Sequence, residues 1–202
     1  MPKQARALRT YDRVLDAAAS EFALKGYART NLQHVADRTG LTKGAVYGHF
    51  SSKEELAGVL EHHFETVTDD LLCHARQSGA PPVDRLGSLV RSLADLFEKD
   101  VRVRAALRLT AEMPRPDGCP PPVLDGIQRD TRALLREIQD AGRLHPSLPP
   151  ETVADLVVAV LFGTHYTTTA CGQEGLGSRV HAMWDVLSSA LLDHGAQDGP
   201  GA

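Results

Sequence analysis

The chain has 202 residues, of which 42% are hydrophobic and 24% are charged, and its formal net charge is −4. This length and composition fit one or two globular domains with a buried core. No apolar run approaches the roughly 18 residues of a membrane-spanning helix, and three widely spaced cysteines without a CxxC pair favour reduced thiols. The sequence therefore predicts a cytoplasmic protein that does not enter a membrane.

The charge is distributed unevenly along the chain. Residues 1–55 contain nine lysines and arginines against six acidic residues, whereas the remainder carries 13 basic and 20 acidic residues. An excess of positive charge confined to one end indicates that this end meets an anionic partner. A solvated basic face is the alternative.

Three short helices are predicted at the N-terminal end. The first covers residues 10–25, where apolar side chains recur every three or four positions, and Gly26 supplies its stop. Thr30 precedes the second helix as its predicted N-cap, and Gly40 ends it. Thr42 caps the third, and a tight turn between the second and third helices is typical of a helix-turn-helix unit.

The third helix, in "TKGAVYGHF", has unusually few bulky side chains. Gly44 and Ala45 would let its backbone approach the base edges in a major groove, and Lys43 sits where a phosphate meets free N–H groups. Tyr47 and His49 can donate hydrogen bonds to phosphates or bases. The spacing alone fits an ordinary loop-helix junction equally well.

The rest of the chain also has helical spacing. Ser52 and Glu55 have capping-box spacing at the start of a helix that runs to about Arg76. Pro149 and Pro150 begin the helix that contains the apolar run "VADLVVAVLFG", which is predicted to be buried. The segments "PRPDGCPPP" and "GQEGLG" are a predicted loop and turn, and the closing "GAQDGPGA" is predicted to be disordered. The predicted helices beyond residue 80 cover 83–100, 101–113, 122–143, 150–171 and 178–194.

The stretch "VLDAAASEFALKGYARTNLQHVADRTGLTKGAVYGHFSSKEEL" resembles the DNA-binding domain of the tetracycline-repressor (TetR) family over about 45 residues. The resemblance implies an all-α fold and a homodimer that binds a double-stranded DNA operator. It places a helix-turn-helix domain at 1–50, a ligand-binding and dimerisation domain at 51–195, and a disordered tail at 196–202. The last two long helices of each chain would form the dimer interface. A monomer core is the alternative for that pair.

The resemblance also implies a set of DNA contacts. Gly48 departs from the family pattern, because an aromatic or another large residue usually stands there, and a glycine is expected to end the recognition helix early. Lys3, Arg6 and Arg9 form either a basic arm for DNA or a solvated tail. The predicted contacts are Arg29, Thr30, Thr42, Lys43, Gly44, Tyr47, His49 and Lys53.

The later part of the chain resembles, more weakly, the γ-butyrolactone receptors of actinomycetes, in "VRAALRLTAE", the proline-rich loop, "FGT" and "AMWDVL". The resemblance implies a repressor of antibiotic or other secondary-metabolism genes that a lactone-like effector releases. Gly126 falls where those receptors usually carry a tryptophan, which favours a larger or reshaped pocket and leaves open a pseudo-receptor or multidrug-type regulator that senses an antibiotic or another apolar metabolite. The predicted effector contacts are His63, Phe97, Leu107, Thr110, Gly126, Thr164 and His165.

Other classes of function lack a pattern in the sequence. His62–His63 and Cys73–His74 are adjacent pairs that point to different helix faces, so a metal site is not predicted. No glycine-rich phosphate loop, GxSxG elbow or paired carboxylates indicate an enzyme, and no cofactor is expected.

Overall fold

The structure, a computed structural model, describes residues 2–113, 118–171 and 174–191, without the side chains of residues 2, 3 and 170. The helices assigned in these ranges are all α-helices, and no strand is assigned there, which confirms the all-α prediction. The helices are α1 (Pro2–Arg29), α2 (Leu32–Thr39), α3 (Lys43–Tyr47), α4 (Lys53–Gln77), α5 (Pro82–Lys99), α6 (Val101–Glu112), α7 (Pro122–Asp140), α8 (Pro150–Cys171) and α9 (Leu176–Leu191).

The chain divides into two compact units. The first unit comprises Met1–Val67 and Leu96–Val123, and the second comprises Thr68–Asp95 and Leu124–Ala202. The first unit therefore contains the three predicted N-terminal helices together with the start of α4 and all of α6. The predicted domain boundary at residue 50 remains a prediction.

The core of the first unit forms where α1 packs against α2 and α6. Val14, Ala18 and Phe22 of α1 are fully buried, as their spacing predicted, and Leu109 of α6 is buried in the same cluster. Helix α1 begins at Pro2 rather than at residue 10, so the basic segment before Thr10 is helical instead of a disordered tail. The predicted stop at Gly26 is confirmed as a break, with φ 78° and ψ 177°.

Capping residues define where α2 begins and ends and where α3 begins. Asn31 is the N-cap of α2, since its side chain accepts a hydrogen bond from the N–H of His34, and the prediction of Thr30 as the cap is wrong. Gly40 ends α2 in the left-handed conformation, with φ 66°, as predicted. Thr42 caps α3 by accepting from the N–H of Ala45, which is confirmed.

Helix α4 begins with a variant of the predicted capping box. The hydroxyl of Ser52 accepts from the N–H of Glu55 at 3.1 Å, as predicted. The carboxylate of Glu55 reaches one residue further back, to the N–H of Ser51 at 2.6 Å and to the Ser51 hydroxyl at 2.7 Å. These bonds satisfy free donors at the start of α4 and fix where the chain leaves the helix-turn-helix unit.

In the second unit α8 has its predicted bounds, whereas α7 and α9 have shifted ends. Helix α7 ends at Asp140 rather than residue 143, because Gly142 takes a positive φ of 67°. Helix α9 begins at Leu176, two residues before its predicted start, so the predicted turn retains only residues 174 and 175 within the described chain. Residues 114–117, 172–173 and 192–202, and with them the predicted disordered tail, lie outside the described residues.

Helix α8 is only half buried in the single chain. Val153, Val157 and Leu161 are buried on one face, and α8 packs against α9. Leu156, however, is 41% exposed and Tyr166 is 71% exposed. The prediction of a buried helix is therefore wrong for this second face, which a single copy of the chain leaves at its surface.

Candidate functional site

The exposed side of α3 presents little side-chain bulk. A Cβ added at Gly44 would meet no atom within 4 Å, so the backbone is bare at this point. Tyr47 is 47% exposed, and the ammonium of Lys43 lies 5.7 Å from the centroid of its ring. Val46 is fully buried and anchors α3 to the core of the first unit. This side of α3 can approach a flat or grooved surface closely.

Two predicted contacts stand at the end of α1, where their environments differ. Arg29 is exposed, so its guanidinium is accessible to a phosphate. Thr30 is 3% exposed, and its hydroxyl donates to the carbonyl of Gly26 at 2.8 Å. The side chain of Thr30 thus closes the turn after Gly26, and the interface proposed for DNA does not include it.

Tyr27, which the sequence did not single out, joins the end of α1 to the start of α4. The Lys53 ammonium lies 3.9 Å from the centroid of the Tyr27 ring and donates to the Tyr27 carbonyl at 2.9 Å. The Tyr27 hydroxyl donates to Glu54 at 2.6 Å. Burial raises the pKa of Tyr27, and the bond to Glu54 raises it further, to about 12. Lys53 thus has a structural role besides its predicted contact with DNA.

His49 lies just beyond the end of α3 and contacts Tyr11 of α1. Its ring centroid is 6.4 Å from that of Tyr11 in an edge-to-face arrangement. The ring centroids of Tyr11 and Phe50 are 4.7 Å apart. The His49 residue is half-buried. Gly48 ends α3, as predicted, and has an ordinary φ of −70°.

Charged groups that the sequence did not single out hold the helix-turn-helix unit in place. Glu21 of α1 is buried and forms ion pairs with Arg38 of α2 at 3.0 Å and with Lys25 at 2.6 Å. Burial raises the pKa of Glu21, but the bonds from Lys25 and Arg38 outweigh it and lower the pKa overall. Arg13 donates to the carbonyl of Thr39, just before the turn into α3. The Glu21–Lys25 spacing of four residues was the only sequence signal for this group.

Four predicted effector contacts lie in the first unit. His63 is 2.9 Å from the Asp100 carboxylate, which also accepts from the N–H groups at the start of α6. Burial raises the pKa of Asp100, but the bonds from His63 and the backbone outweigh it and lower the pKa. Phe97 and Leu107 are buried in the core. These three residues therefore have structural roles that do not require an effector.

Thr110 is the predicted contact that lines a cavity. The cavity has a volume of about 40 Å³. This volume holds a few water molecules, whereas sites for small organic ligands measure roughly 300–1,000 Å³. The residues that line the cavity are Glu61, Phe64, Glu65, Thr110, Met113, Pro121, Pro122 and Val123.

The remaining predicted effector contacts lie in the second unit. Gly126 is buried, and a Cβ added there would lie 3.4 Å from the Cδ1 atom of Leu72, so a neighbouring side chain already occupies that side of α7. Thr164 is buried, with its hydroxyl 3.5 Å from the sulfur of Met183. His165 is half-buried on the same helix as Thr164.

A larger cavity of the second unit lies between the end of α4 and the start of α5. Its volume is about 290 Å³, near the lower limit for a small ligand. None of the predicted effector contacts lines it. Leu71 and Leu89 give it an apolar part, and the polar lining includes His74, Arg85 and Ser88. Its walls come from the end of α4, the start of α5 and the connecting residues Ser78 and Ala80, and no sequence motif marks them.

Comparison with known proteins identifies the family. Residues 14–60 match the family model "Bacterial regulatory proteins, tetR family". The A-factor receptor protein of Streptomyces griseus is 34% identical over 200 residues, which cover 96% of this chain and 68% of the relative. The chain belongs to the TetR family. This confirms the family that the stretch around α1–α3 predicted.

Solved structures of TetR-family proteins share the fold. A crystal structure of a γ-butyrolactone receptor (ArpA-like protein) is similar with a TM-score of 0.79 and 25% identity, over 94% of this chain and 91% of that one. CprB from Streptomyces coelicolor, solved in complex with its biological operator sequence, has a TM-score of 0.78 and 28% identity over the same shares. The relatives are regulatory proteins rather than enzymes, which supports a regulatory protein here.

Membrane spans and metal clusters are both absent from the described ranges. No helix there is both long enough and apolar enough to cross a membrane. The same ranges contain no group of three or more histidine, cysteine, aspartate or glutamate residues that could hold a metal ion.

Proposed function

We propose that the protein is a homodimeric transcriptional repressor that binds a pseudo-palindromic operator in double-stranded DNA and leaves it when a small effector binds. The observation that carries the DNA-binding part is the bare and exposed side of α3, with open space at Gly44 beside the exposed Tyr47. A recognition helix of this kind enters a major groove closely, and its N-terminal residues meet bases and phosphates.

Each residue of the proposed interface has its own role. Lys43 and Arg29 supply positive charge for phosphates, and the free N–H groups at the start of α3 supply neutral donors. Tyr47 and His49 stand beside them as hydrogen-bonding groups. Thr42 caps the start of α3, and Gly44 lets the backbone of α3 approach the DNA closely. Lys53 acts through its contact with Tyr27.

The effector is proposed to be a γ-butyrolactone or butenolide, and the genes controlled to be those of antibiotic or other secondary metabolism. The support is the likeness to the A-factor receptor protein and to a γ-butyrolactone receptor. Effector binding can shift operator affinity only by its preference for one of two protein states. The alternative is a pseudo-receptor or multidrug-type regulator of an antibiotic or other apolar metabolite. It is supported by Gly126, because a glycine stands where those receptors usually carry a tryptophan and Leu72 occupies space beside it, which favours a reshaped pocket.

A binding titration on the DNA upstream of the protein's own gene tests the function. We expect saturable binding that weakens as salt rises, because each phosphate contact releases counterions, and no comparable binding to a shuffled fragment. Lactones that release the DNA at micromolar concentration support the proposed effector class. Release only by antibiotics or by an extract of a producing culture supports the alternative. Equal affinity for both fragments overturns the repressor proposal.

Replacing Tyr47 by alanine tests the assignment of α3. We expect Tyr47→Ala to weaken operator binding by at least about tenfold, in line with the loss of one or two good contacts. Because Tyr47 is exposed and lies outside the buried core, the melting temperature and the oligomeric state should be unchanged. Tyr47→Phe separates the hydroxyl from the ring. Unchanged operator affinity in Tyr47→Ala would contradict the interface.

A further inference from the structure

The long helix α1 is interrupted where a backbone hydrogen bond is missing. Side chains of α6 bind the N–H and the carbonyl that this bond would have joined. In an unbroken helix the N–H of residue 27 would donate to the carbonyl of residue 23. The conformation of Gly26, with φ 78° and ψ 177°, turns that N–H away from the helix. The Tyr27 N–H instead donates to Glu112 at 2.7 Å, and the Ala23 carbonyl accepts from Arg108 at 3.0 Å.

The two replacing side chains also bind each other. Arg108 and Glu112 are separated by four residues of α6, and the guanidinium donates to the carboxylate at 2.7 Å. The Arg108 side chain is 30% exposed and the Glu112 side chain is 35% exposed. Burial raises the pKa of Glu112, but the bonds from Arg108 and the Tyr27 N–H outweigh it, and the charge of Arg29 adds to them, so the pKa lies below its usual value. The carboxylate is therefore ionised at neutral pH.

The break has no room for a side chain. A Cβ at Gly26 would lie 2.3 Å from one carboxylate oxygen of Glu112 and 2.4 Å from the other. The positive φ requires glycine at this position. The Glu112 carboxylate thus occupies the notch that the missing side chain leaves in α1.

The part of α1 beyond the break reaches the proposed DNA interface. Tyr27 holds Lys53 and Glu54 at the start of α4. Thr30 closes the next turn onto the Gly26 carbonyl, and Asn31 then caps α2. The direction in which the chain leaves Gly26 therefore determines where α2 and the start of α4 begin.

We propose that Arg108 and Glu112 form a clasp on the break of α1 and act as positioning residues for operator binding. The clasp satisfies both ends of the broken helical bond and thereby holds Arg29 and the α2–α3 pair in one orientation. An exposed pair within one helix contributes little, whereas this pair replaces backbone partners that the break leaves free. The DNA-binding part of this inference rests on the proposed function.

Hydrogen exchange and operator binding, measured on the same variants, test the clasp. In Glu112→Ala we expect the Tyr27 amide to exchange with solvent at least about tenfold faster, since a hydrogen bond to a charged acceptor is lost. Operator affinity should fall on the order of tenfold while the dimer and the helix content are retained. Glu112→Gln keeps an oxygen acceptor for the Tyr27 N–H and should recover most of the amide protection and most of the affinity.

The chain offers a matched control and a second variant. Asp125 and Arg129 form another ion pair with four-residue spacing, exposed at both ends, so Asp125→Asn should change neither the Tyr27 exchange nor operator affinity. If Glu112→Ala does not fold, Arg108→Gln tests the same clasp through the donor to Ala23. Unchanged Tyr27 exchange in Glu112→Ala, or in Arg108→Gln if only that variant folds, would overturn the clasp. Faster exchange with unchanged operator affinity would overturn its positioning role. If the wild-type protein binds no operator, the proposed function fails, whereas the exchange measurement still decides the clasp.

Discussion

At the scale of single residues, Tyr27 has the most perturbed surroundings of the four tyrosines. Its hydroxyl donates to the Glu54 carboxylate, its ring faces the Lys53 ammonium, and its N–H is bound by Glu112. The first of these contacts disfavours ionisation, because a phenolate would face a carboxylate in a partly buried position. The residue is therefore expected to report on the joint between α1 and α4.

We predict that one tyrosine titrates late. With the pKa of Tyr27 raised to about 12 from its usual 10, an absorbance titration near 295 nm should show one tyrosine that ionises near pH 12. Because the folded-state pKa is raised, the stabilisation is complete below pH 10 and is lost as the pH rises from 10 through 12. The late component should vanish in Tyr27→Phe. Its persistence in that variant would contradict the assignment.

The cap of α2 gives a second test at the residue scale. Asn31→Ala removes the acceptor for the His34 N–H and should lower the free energy of unfolding by about 1 kcal/mol. Asn31→Ser retains an acceptor and should recover most of that loss in a urea denaturation curve. An Asn31→Ala variant as stable as the wild type would contradict the cap.

At the scale of helices, local signals predicted most of the fold. Apolar spacing and the residues Gly26, Gly40 and Thr42 predicted where the first three helices lie, because periodicity and capping act within a few residues. Thr30 was mistaken for the cap of α2 because Thr30 and Asn31 are both good capping residues. Only the backbone geometry decides between such neighbours.

The interactions that the sequence missed are between residues far apart in the chain. The bond between Tyr27 and Glu112 joins positions separated by 85 residues. Neither residue belongs to a motif that would suggest a partner at that distance. The predicted effector residues follow from family positions, which indicate a face of a helix and not what fills the space beside it.

Two glycines around α3 should respond to alanine in opposite ways. Gly48 has an ordinary φ of −70°, and its added Cβ would lie 3.4 Å from the Ala45 carbonyl oxygen. Gly48→Ala should therefore stabilise the protein by about 0.4–1 kcal/mol, because it restricts the unfolded chain. Gly40 has a φ of 66°, so Gly40→Ala should cost roughly 1–2 kcal/mol although no neighbouring atom is near. Urea denaturation measures both, and the same sign for both variants would contradict the backbone assignment of this turn.

At the scale of the whole molecule, the exposed apolar side chains are unevenly distributed. Among the described residues, four of the seven large exposed hydrophobic side chains lie on α8 and α9: Leu156, Tyr166, Met183 and Val186. Helix α8 also carries no lysine, arginine, aspartate or glutamate after Asp155. Exposed apolar side chains on two helices that pack together are typical of a surface that a second copy covers. This agrees with the predicted dimer interface, and the dimer itself remains a proposal.

Charge placed on that face should separate the two copies. Tyr166→Asp and Val186→Asp alter side chains that are 71% and 68% exposed in the single chain, so each variant should fold normally. Together they should raise the dimer dissociation constant at least about a hundredfold, since an unpaired buried charge costs about 3 kcal/mol or more. Sedimentation velocity across a concentration series measures this constant. Leu24→Asp, at a site 68% exposed on α1, is the matched control and should leave the dimer intact.

The same variant links the dimer to operator recognition. A pseudo-palindromic operator presents two half-sites about 34 Å apart, and a single helix-turn-helix unit binds only one of them. The double variant retains α3 and its capping residues, so its residual binding to a half-site should match that of the wild type, while its affinity for the full operator falls toward the half-site value. If the monomeric variant bound the full operator as tightly as the wild type, recognition would not depend on two copies, and the proposed mode of binding would be wrong.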